Sequence, residues 1–383
     1  MKEEIIPINR RGSDSVKWKR YGDDVLPLWV ADTDFRSPEV VIEALNQRVA
    51  EGVFGYPFDP PELAELVSAR MLERYQWKVS PEDMIFVPGV VPGFNLVCQA
   101  LTRAGESLLV QPPVYPPILH AAENAGARSL QVPLLLKPDG SYEVDFDAFE
   151  SAIEKDTRCF VLCNPHNPVG KVFSKTELTH MAEICLRHQM IICSDEIHSD
   201  LVFSDSRHIP IASLSEEIAQ STVTLIAPSK TFNIAGLECA VMICQNKELM
   251  KRINAGRRGI LGGVNVLGLT AARAAYRGGD AWLKQMMNLL EDNRNYLADF
   301  LQKRIPQIKM RKPDATYLAW LDCRACRFEG EAFQFFLDHA KVALNRGEEF
   351  GEGGEGFVRL NFGCPRETLT EALLRMEKAL NAG

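Results

Sequence analysis

The chain predicts an α/β protein, a large domain on a mostly parallel sheet followed by a smaller α+β domain, and three observations carry that prediction. Between about residues 84 and 244, apolar runs of strand length alternate with amphipathic segments of helical length, the pattern of a parallel sheet with helical crossovers. Residues 264–305 then show helical periodicity with no strand between. Beyond them strand-like and helical segments alternate again in a tail of different character.

The elements follow in order. The N-terminal stretch to about Phe35 has few helix signals and is expected to pack with the tail or cross to a neighbouring subunit. Ser107-Leu108-Leu109-Val110 and the runs 159–163, 191–193, 223–226 and 240–244 read as buried strands. One intervening helix has its start marked, because Ser174 and Glu177 form a capping box ahead of Leu178, Met181, Ile184 and Cys185. In the tail, strands are expected at 316–321 and 358–362 and helices at 331–341 and 367–380. The expected division is an N-terminal segment (1–40), a large domain (41–285) and a C-terminal small domain (286–383). The glycine-rich acidic run 351–356 reads as a flexible turn.

Bulk properties exclude several classes. With 383 residues, 46% apolar and 25% charged, the chain can bury a large core and is not a disordered one. A net charge of −8 leaves no basic surface suited to nucleic acid. No apolar run is long enough to span a bilayer, and the first residues lack the hydrophobic segment of a secretion signal, so a cytoplasmic protein is expected. The ten cysteines are scattered, several within apolar runs, and read as reduced core residues. Cys323 and Cys326 form a Cys-x-x-Cys without a second pair or a His pair at metal-site spacing, so no metal is expected.

In parallel α/β sheets ligands bind beyond the carboxyl ends of strands. Three such ends carry chemistry. Asn167 lies in Asn164-Pro165-His166-Asn167-Pro168-Val169-Gly170 after the 159–163 run, Asp195 follows 191–193, and Lys230 follows 223–226. A lysine with little water around it is nucleophilic near neutral pH, as Schiff-base formation requires. A carboxylate keeps a pyridine nitrogen protonated, and an amide donates to a phenolic oxygen. Taken singly, each has an ordinary reading: a solvated loop lysine, a turn-forming asparagine between prolines, an aspartate at a strand end. Their joint placement after successive strands points to pyridoxal phosphate.

These motifs, with Asp195-Glu196-Ile197-His198 and Ser229-Lys230-Thr231-Phe232-Asn233, occur in the order and spacing of the fold-type I pyridoxal phosphate enzymes, and the chain resembles their class I/II aminotransferase family over nearly its whole length. The resemblance implies a seven-stranded sheet and gives roles to residues. Lys230 holds the cofactor, Asp195 pairs with its ring nitrogen, Asn167 bonds its phenolic oxygen and Tyr115 stacks on its ring. Gly89, Val90 and Val91 form the phosphate-cradling turn, with Ser229. Tyr56 reaches the phosphate in the neighbouring subunit, which implies a homodimer with shared sites, and Arg359 grips the substrate carboxylate through two parallel hydrogen bonds.

Two departures narrow the family. Ala227 and Glu238 stand where relatives commonly carry a serine and an arginine for the phosphate. His198 stands where ordinary aminotransferases carry a tyrosine; with Trp29-Val30-Ala31-Asp32-Thr33-Asp34-Phe35 it resembles the cystathionine β-lyase branch, which implies cofactor contact for His198 and substrate contact for Trp29 and Asp32. The expected reaction is β-elimination from cysteine thioethers, giving pyruvate, ammonia and a thiol. An aminotransferase, and a protein-binding modulator of a transcription regulator, are the alternative expectations.

Overall fold

The computed structural model describes residues 4–327 and 330–382. Fourteen strands lie among them: β1 (Leu26–Pro27), β2 (Met84–Val87), β3 (Ser107–Val110), β4 (Arg128–Gln131), β5 (Leu135–Leu136), β6 (Tyr142–Glu143), β7 (Thr157–Cys163), β8 (Ile191–Asp195), β9 (Thr222–Ile226), β10 (Ala240–Ile243), β11 (Leu318–Asp322), β12 (Val342–Ala343), β13 (Asn345–Arg346) and β14 (Phe357–Asn361). Seven form the main sheet in the order β2-β10-β9-β8-β7-β3-β4. Only β10 runs antiparallel to its neighbours, so the sheet is mostly parallel, as the sequence predicted.

Strands β3, β7, β8, β9 and β10 are the five read from apolar runs; the two edges were missed. β4 is Arg128-Ser129-Leu130-Gln131, largely exposed, and an edge strand covered so little need not be continuously apolar. β2, Met84-Ile85-Phe86-Val87, is apolar, mostly buried and as long as β3 and β10, so edge exposure does not account for its being passed over.

The helix Val90–Leu101 crosses under the middle of the sheet and buries Val90, Phe94, Leu96, Val97, Cys98 and Leu101. Gly93 makes this close approach possible, because a Cβ there would stand 2.7 Å from Leu225 Cδ2. The Ser174 box caps Lys175–Arg187: Ser174 Oγ accepts from the Glu177 N–H at 3.2 Å while Glu177 Oε2 accepts from the Ser174 N–H at 2.9 Å.

The 264–305 segment is two helices, Val266–Gly278 and Asp280–Arg304. They part at Gly279, where a Cβ would meet the Phe232 ring at 2.5 Å, and the expected 285/286 boundary falls inside the second helix. In the tail β11 and β13 flank β14 antiparallel, with Trp320 opposite Arg359. The expected helix at 331–341 begins as Ala332–Phe335 and widens into a π-helical turn, Phe336–Ala340, and the last helix is Arg366–Ala382. The N-terminal segment joins this unit, since β1 pairs parallel with β12. Within the 351–356 run Gly354 is buried and its N–H donates to the Gly351 carbonyl at 3.1 Å, while Glu352, Gly353 and Glu355 are exposed. Among the described residues no helix is long and apolar enough to cross a membrane.

Candidate active site

Because β7, β8 and β9 are parallel and in register, with Cys163 beside Asp195 and Asp195 beside Leu225, their carboxyl ends open at one edge. A cavity of about 420 Å³ lies there, against the N-terminus of Val90–Leu101 and under β13 and β14. Every residue given a cofactor or substrate contact from the sequence lines it except Tyr56 and Asp32.

Lys230 sits on a one-turn helix, Pro228–Thr231, directly after β9. Its Nζ donates to the Ala31 carbonyl at 2.7 Å. Burial lowers its pKa to about 8; Asp32 and Asp195 oppose that shift and Arg359 adds to it. Asp195 ends β8, almost fully buried, with Oδ1 accepting from the Ile197 N–H at 3.1 Å. Burial raises its pKa to about 7, with the Ile197 N–H and Lys230 pulling the other way. No salt bridge satisfies Asp195 among the described residues, so it asks for a cationic hydrogen-bond donor.

Arg359, on β14, is 5% exposed and likewise has no salt bridge among the described residues. It donates to Asn167 Oδ1 at 3.0 Å, to the Trp29 carbonyl at 3.1 Å and to Asn345 Oδ1 at 2.6 Å, above the Phe350 ring. Burial depresses its pKa to about 10. A buried guanidinium satisfied only by neutral acceptors is poised for an anion. His198 is 3% exposed, its Nδ1 lacks a hydrogen-bond partner, and burial with Lys230 and Arg359 nearby pushes its pKa down to about 3, so the ring is neutral. Tyr115, at the start of Pro116–Leu119, has its phenol pKa raised by burial and then by Asp195.

At the opposite end Gly89, with φ 114°, turns the chain into Val90–Leu101. The first N–H groups of that helix, together with the Ser229 hydroxyl, offer donors suited to a phosphate. Among the described residues the cavity's only Lys and Arg side chains are Lys230 and Arg359; Ala227 is in the core, and Glu238, in the left-handed region with φ 49°, is exposed at the rim. Tyr56 lies on the surface, fully exposed among the exposed Val53, Phe54 and Phe58. The Asp32 carboxylate does not line the cavity; it pairs with Arg10 at 2.9 Å and Lys17 at 3.5 Å, and its charge still raises the Lys230 pKa. Trp29 lines the cavity, its indole N–H donating to the Lys17 carbonyl at 3.1 Å.

Sequence reading missed Asn345, the Ala31 carbonyl, Tyr317 and Phe350. A backbone carbonyl carries no sequence signal, and the others are ordinary strand or loop residues until β14 brings them beside Arg359. The residues present fit pyridoxal phosphate: an amine of lowered pKa for the aldehyde, a buried carboxylate lacking a cation for the ring nitrogen, and an amide and an unpartnered imidazole nitrogen on the same wall.

Fold and site together define a class, and the chain belongs to the aminotransferase class I and II family, whose model matches residues 23–376. It is 43% identical over 380 residues to cystathionine beta-lyase PatB of Bacillus subtilis, covering 97% of this chain and 98% of that one. Among solved structures, cystalysin from Treponema denticola, which contains pyridoxal 5'-phosphate, matches with a TM-score of 0.95 and 33% identity, covering 100% of this chain and 99% of that one. The C-S lyase from Staphylococcus hominis, solved with its cofactor bound, matches at 0.91 and 33%, over 97% of each chain.

Proposed function

We propose that this protein is a pyridoxal phosphate-dependent carbon–sulfur lyase that eliminates thiols from cysteine thioethers such as cystathionine. The observation that carries it is the facing of Lys230, Asp195 and Arg359 in one buried cavity, each shifted toward its uncharged form by burial. The likeness to lyases over nearly the whole chain supports elimination over amino transfer.

The cofactor, when bound, supplies an aldehyde for amines and a protonated ring that accepts the electrons of a Cα carbanion. Asn167 and Asp195 would orient it, Asp195 holding the proton at the ring nitrogen. Arg359 binds the substrate α-carboxylate, which replaces the neutral acceptors it now holds. Lys230 would take the Cα proton, for which a pKa of about 8 suits its amine. The Cβ–S bond breaks, and its electron pair leaves with sulfur as a thiolate that is then protonated. The 2-aminoacrylate tautomerises to an imine, and water replaces its nitrogen to give pyruvate and ammonia. His198, neutral and apposed edge-on to Tyr317 at 6.3 Å, walls the site without adding charge.

The exposed 53–58 segment supports a homodimer in which Tyr56 completes the partner's phosphate site, and light scattering tests it. Ten unpaired cysteines support a cytoplasmic location. The deciding experiment measures pyruvate from cystathionine with and without a 2-oxo acid. Pyruvate without acceptor is expected; turnover only with acceptor makes the protein an aminotransferase.

A further inference from the structure

Residues 29–35 form a strap across the cavity whose seven consecutive backbone carbonyls are all engaged. Trp29 accepts from Arg359 Nη2 at 3.1 Å, Val30 from Asn361 Nδ2 at 2.5 Å, and Ala31 from Lys230 Nζ at 2.7 Å and the Tyr317 hydroxyl at 3.0 Å. Asp32 accepts from Asn361 Nδ2 at 2.6 Å, Thr33 and Phe35 from Asn233 Nδ2 at 3.1 and 2.8 Å, and Asp34 from the Ile8 N–H at 2.9 Å. Two carbonyls of one strap thus hold the two cations of the site, Arg359 and Lys230, and Asn361, which bonds the carbonyls on either side of Ala31, is fully buried.

Asn361 stands two residues after Arg359 on β14, so both side chains leave the same face of that strand. Its orientation is fixed, because Oδ1 accepts from the Gly363 N–H at 2.7 Å and the amide nitrogen therefore faces Val30 and Asp32. The Ala31 carbonyl lies between those two anchors. Lys17, buried, supports the strap from behind through Asp34 at 2.8 Å.

We infer that Asn361 is a positioning residue for the reaction: by clamping the Val30 and Asp32 carbonyls it sets the Ala31 carbonyl that holds the Lys230 amine and the Trp29 carbonyl that orients Arg359. This rests on Lys230 as the Cα base and Arg359 as the carboxylate clamp. A lysine that gives up its covalent partner to substrate needs a nearby acceptor to stay within reach of Cα, and small misplacements of such groups are costly. Tyr317 shares the work on one side only, since its hydroxyl touches Ala31 and not Trp29.

The test compares purified holoenzymes carrying Asn361→Asp, which keeps volume but aims an acceptor at two carbonyls, and Tyr317→Phe, which keeps the ring. Pyruvate release is measured against substrate concentration and pH, alongside the visible absorbance band, its loss on borohydride reduction and the thermal midpoint. Asn361→Asp is expected to keep the band, lower kcat about 100-fold, raise KM about tenfold and move the acid limb of kcat by at least about half a pH unit. Tyr317→Phe is expected to lower kcat several-fold and leave KM unchanged. An Asn361→Asp enzyme with a lower midpoint but unchanged kcat, KM and acid limb overturns the inference. If that variant does not fold, the same readouts are taken on Asn361→Ser, whose hydroxyl donates to at most one of the two carbonyls, and unchanged kcat, KM and acid limb there overturn it instead. A Lys230→Ala protein that retains the borohydride-sensitive band refutes the parent reading of the lysine, a result separable from either strap outcome.

Discussion

Asp195→Asn is expected to make the cofactor-free protein more stable while crippling the enzyme. The wild-type carboxyl has its pKa raised from 3.8 to about 7, chiefly by burial. A group whose folded pKa exceeds its unfolded one binds more protons in the folded state between the two values, so stability falls as pH rises from about 4 to about 7. At 1.36 kcal/mol per unit, that shift corresponds to a penalty of roughly 4 kcal/mol at pH 8 and about 2 kcal/mol at pH 5. Asparagine is nearly isosteric and carries no such penalty. For a chain of this length the gain at pH 8 is a rise in midpoint of roughly 3–5 °C, since unfolding entropy scales with size. The assay is thermal unfolding by circular dichroism of apoprotein at pH 5 and pH 8, followed by pyruvate release after reconstitution. Activity should fall by about 100-fold or more, because an amide cannot hold the ring proton. A variant apoprotein less stable than wild type at pH 8, or one whose gain does not grow between pH 5 and pH 8, refutes the reasoning.

Four further outcomes follow from the same geometry. Arg359→Lys should raise KM for the amino acid about 10- to 100-fold, because a point charge cannot replace two parallel hydrogen bonds, as initial rates will show. Exchange of the Cα proton, followed by deuterium washout, should rise with pH and level off near 8, where the Lys230 amine becomes neutral. Gly93→Ala should lose roughly 1–3 kcal/mol in denaturant unfolding, since the new methyl meets Leu225 at 2.7 Å, with activity per folded molecule retained. Tyr56→Phe should weaken cofactor retention, measured as absorbance lost on dialysis, without altering the midpoint of the apoprotein.

What was legible in the sequence was whatever burial writes into composition. The central strands are continuous apolar runs because helices cover both faces, and Asn167, Asp195 and Lys230 stood out because they end those runs. β4 was illegible, as an exposed edge has no need of such a run. Gly279 was also unread: helical periodicity continues across it, and only its contact with the Phe232 ring, 47 residues earlier, shows why the helix is broken there. Asp32 drew attention through its motif, yet its carboxylate is taken by Arg10 and Lys17, while the carbonyl of its neighbour Ala31 holds the lysine. A side chain can be guessed from its letter, but a backbone acceptor depends on a path set by Asn361 and Asn233.

The cavity is electrostatically incomplete in a specific way. Burial moves Lys230 and Arg359 down and Asp195 up, each toward the neutral form, which is the signature of charges taken from water without full compensation. The missing complements are a cationic donor at Asp195 and an anion at Arg359, and the proposed cofactor and substrate carry one each. Binding therefore restores charges that folding suppressed, and the cost of suppressing them lies in the stability of the empty protein. That is why one substitution, Asp195→Asn, can raise the midpoint of the apoprotein and lower the activity of the enzyme together. The phosphate end does not follow this pattern, for Glu238 adds like charge at its rim; under the proposed homodimer the helix N-terminus, Ser229 and a neighbour's Tyr56 would carry more of the binding than an arginine would leave to them.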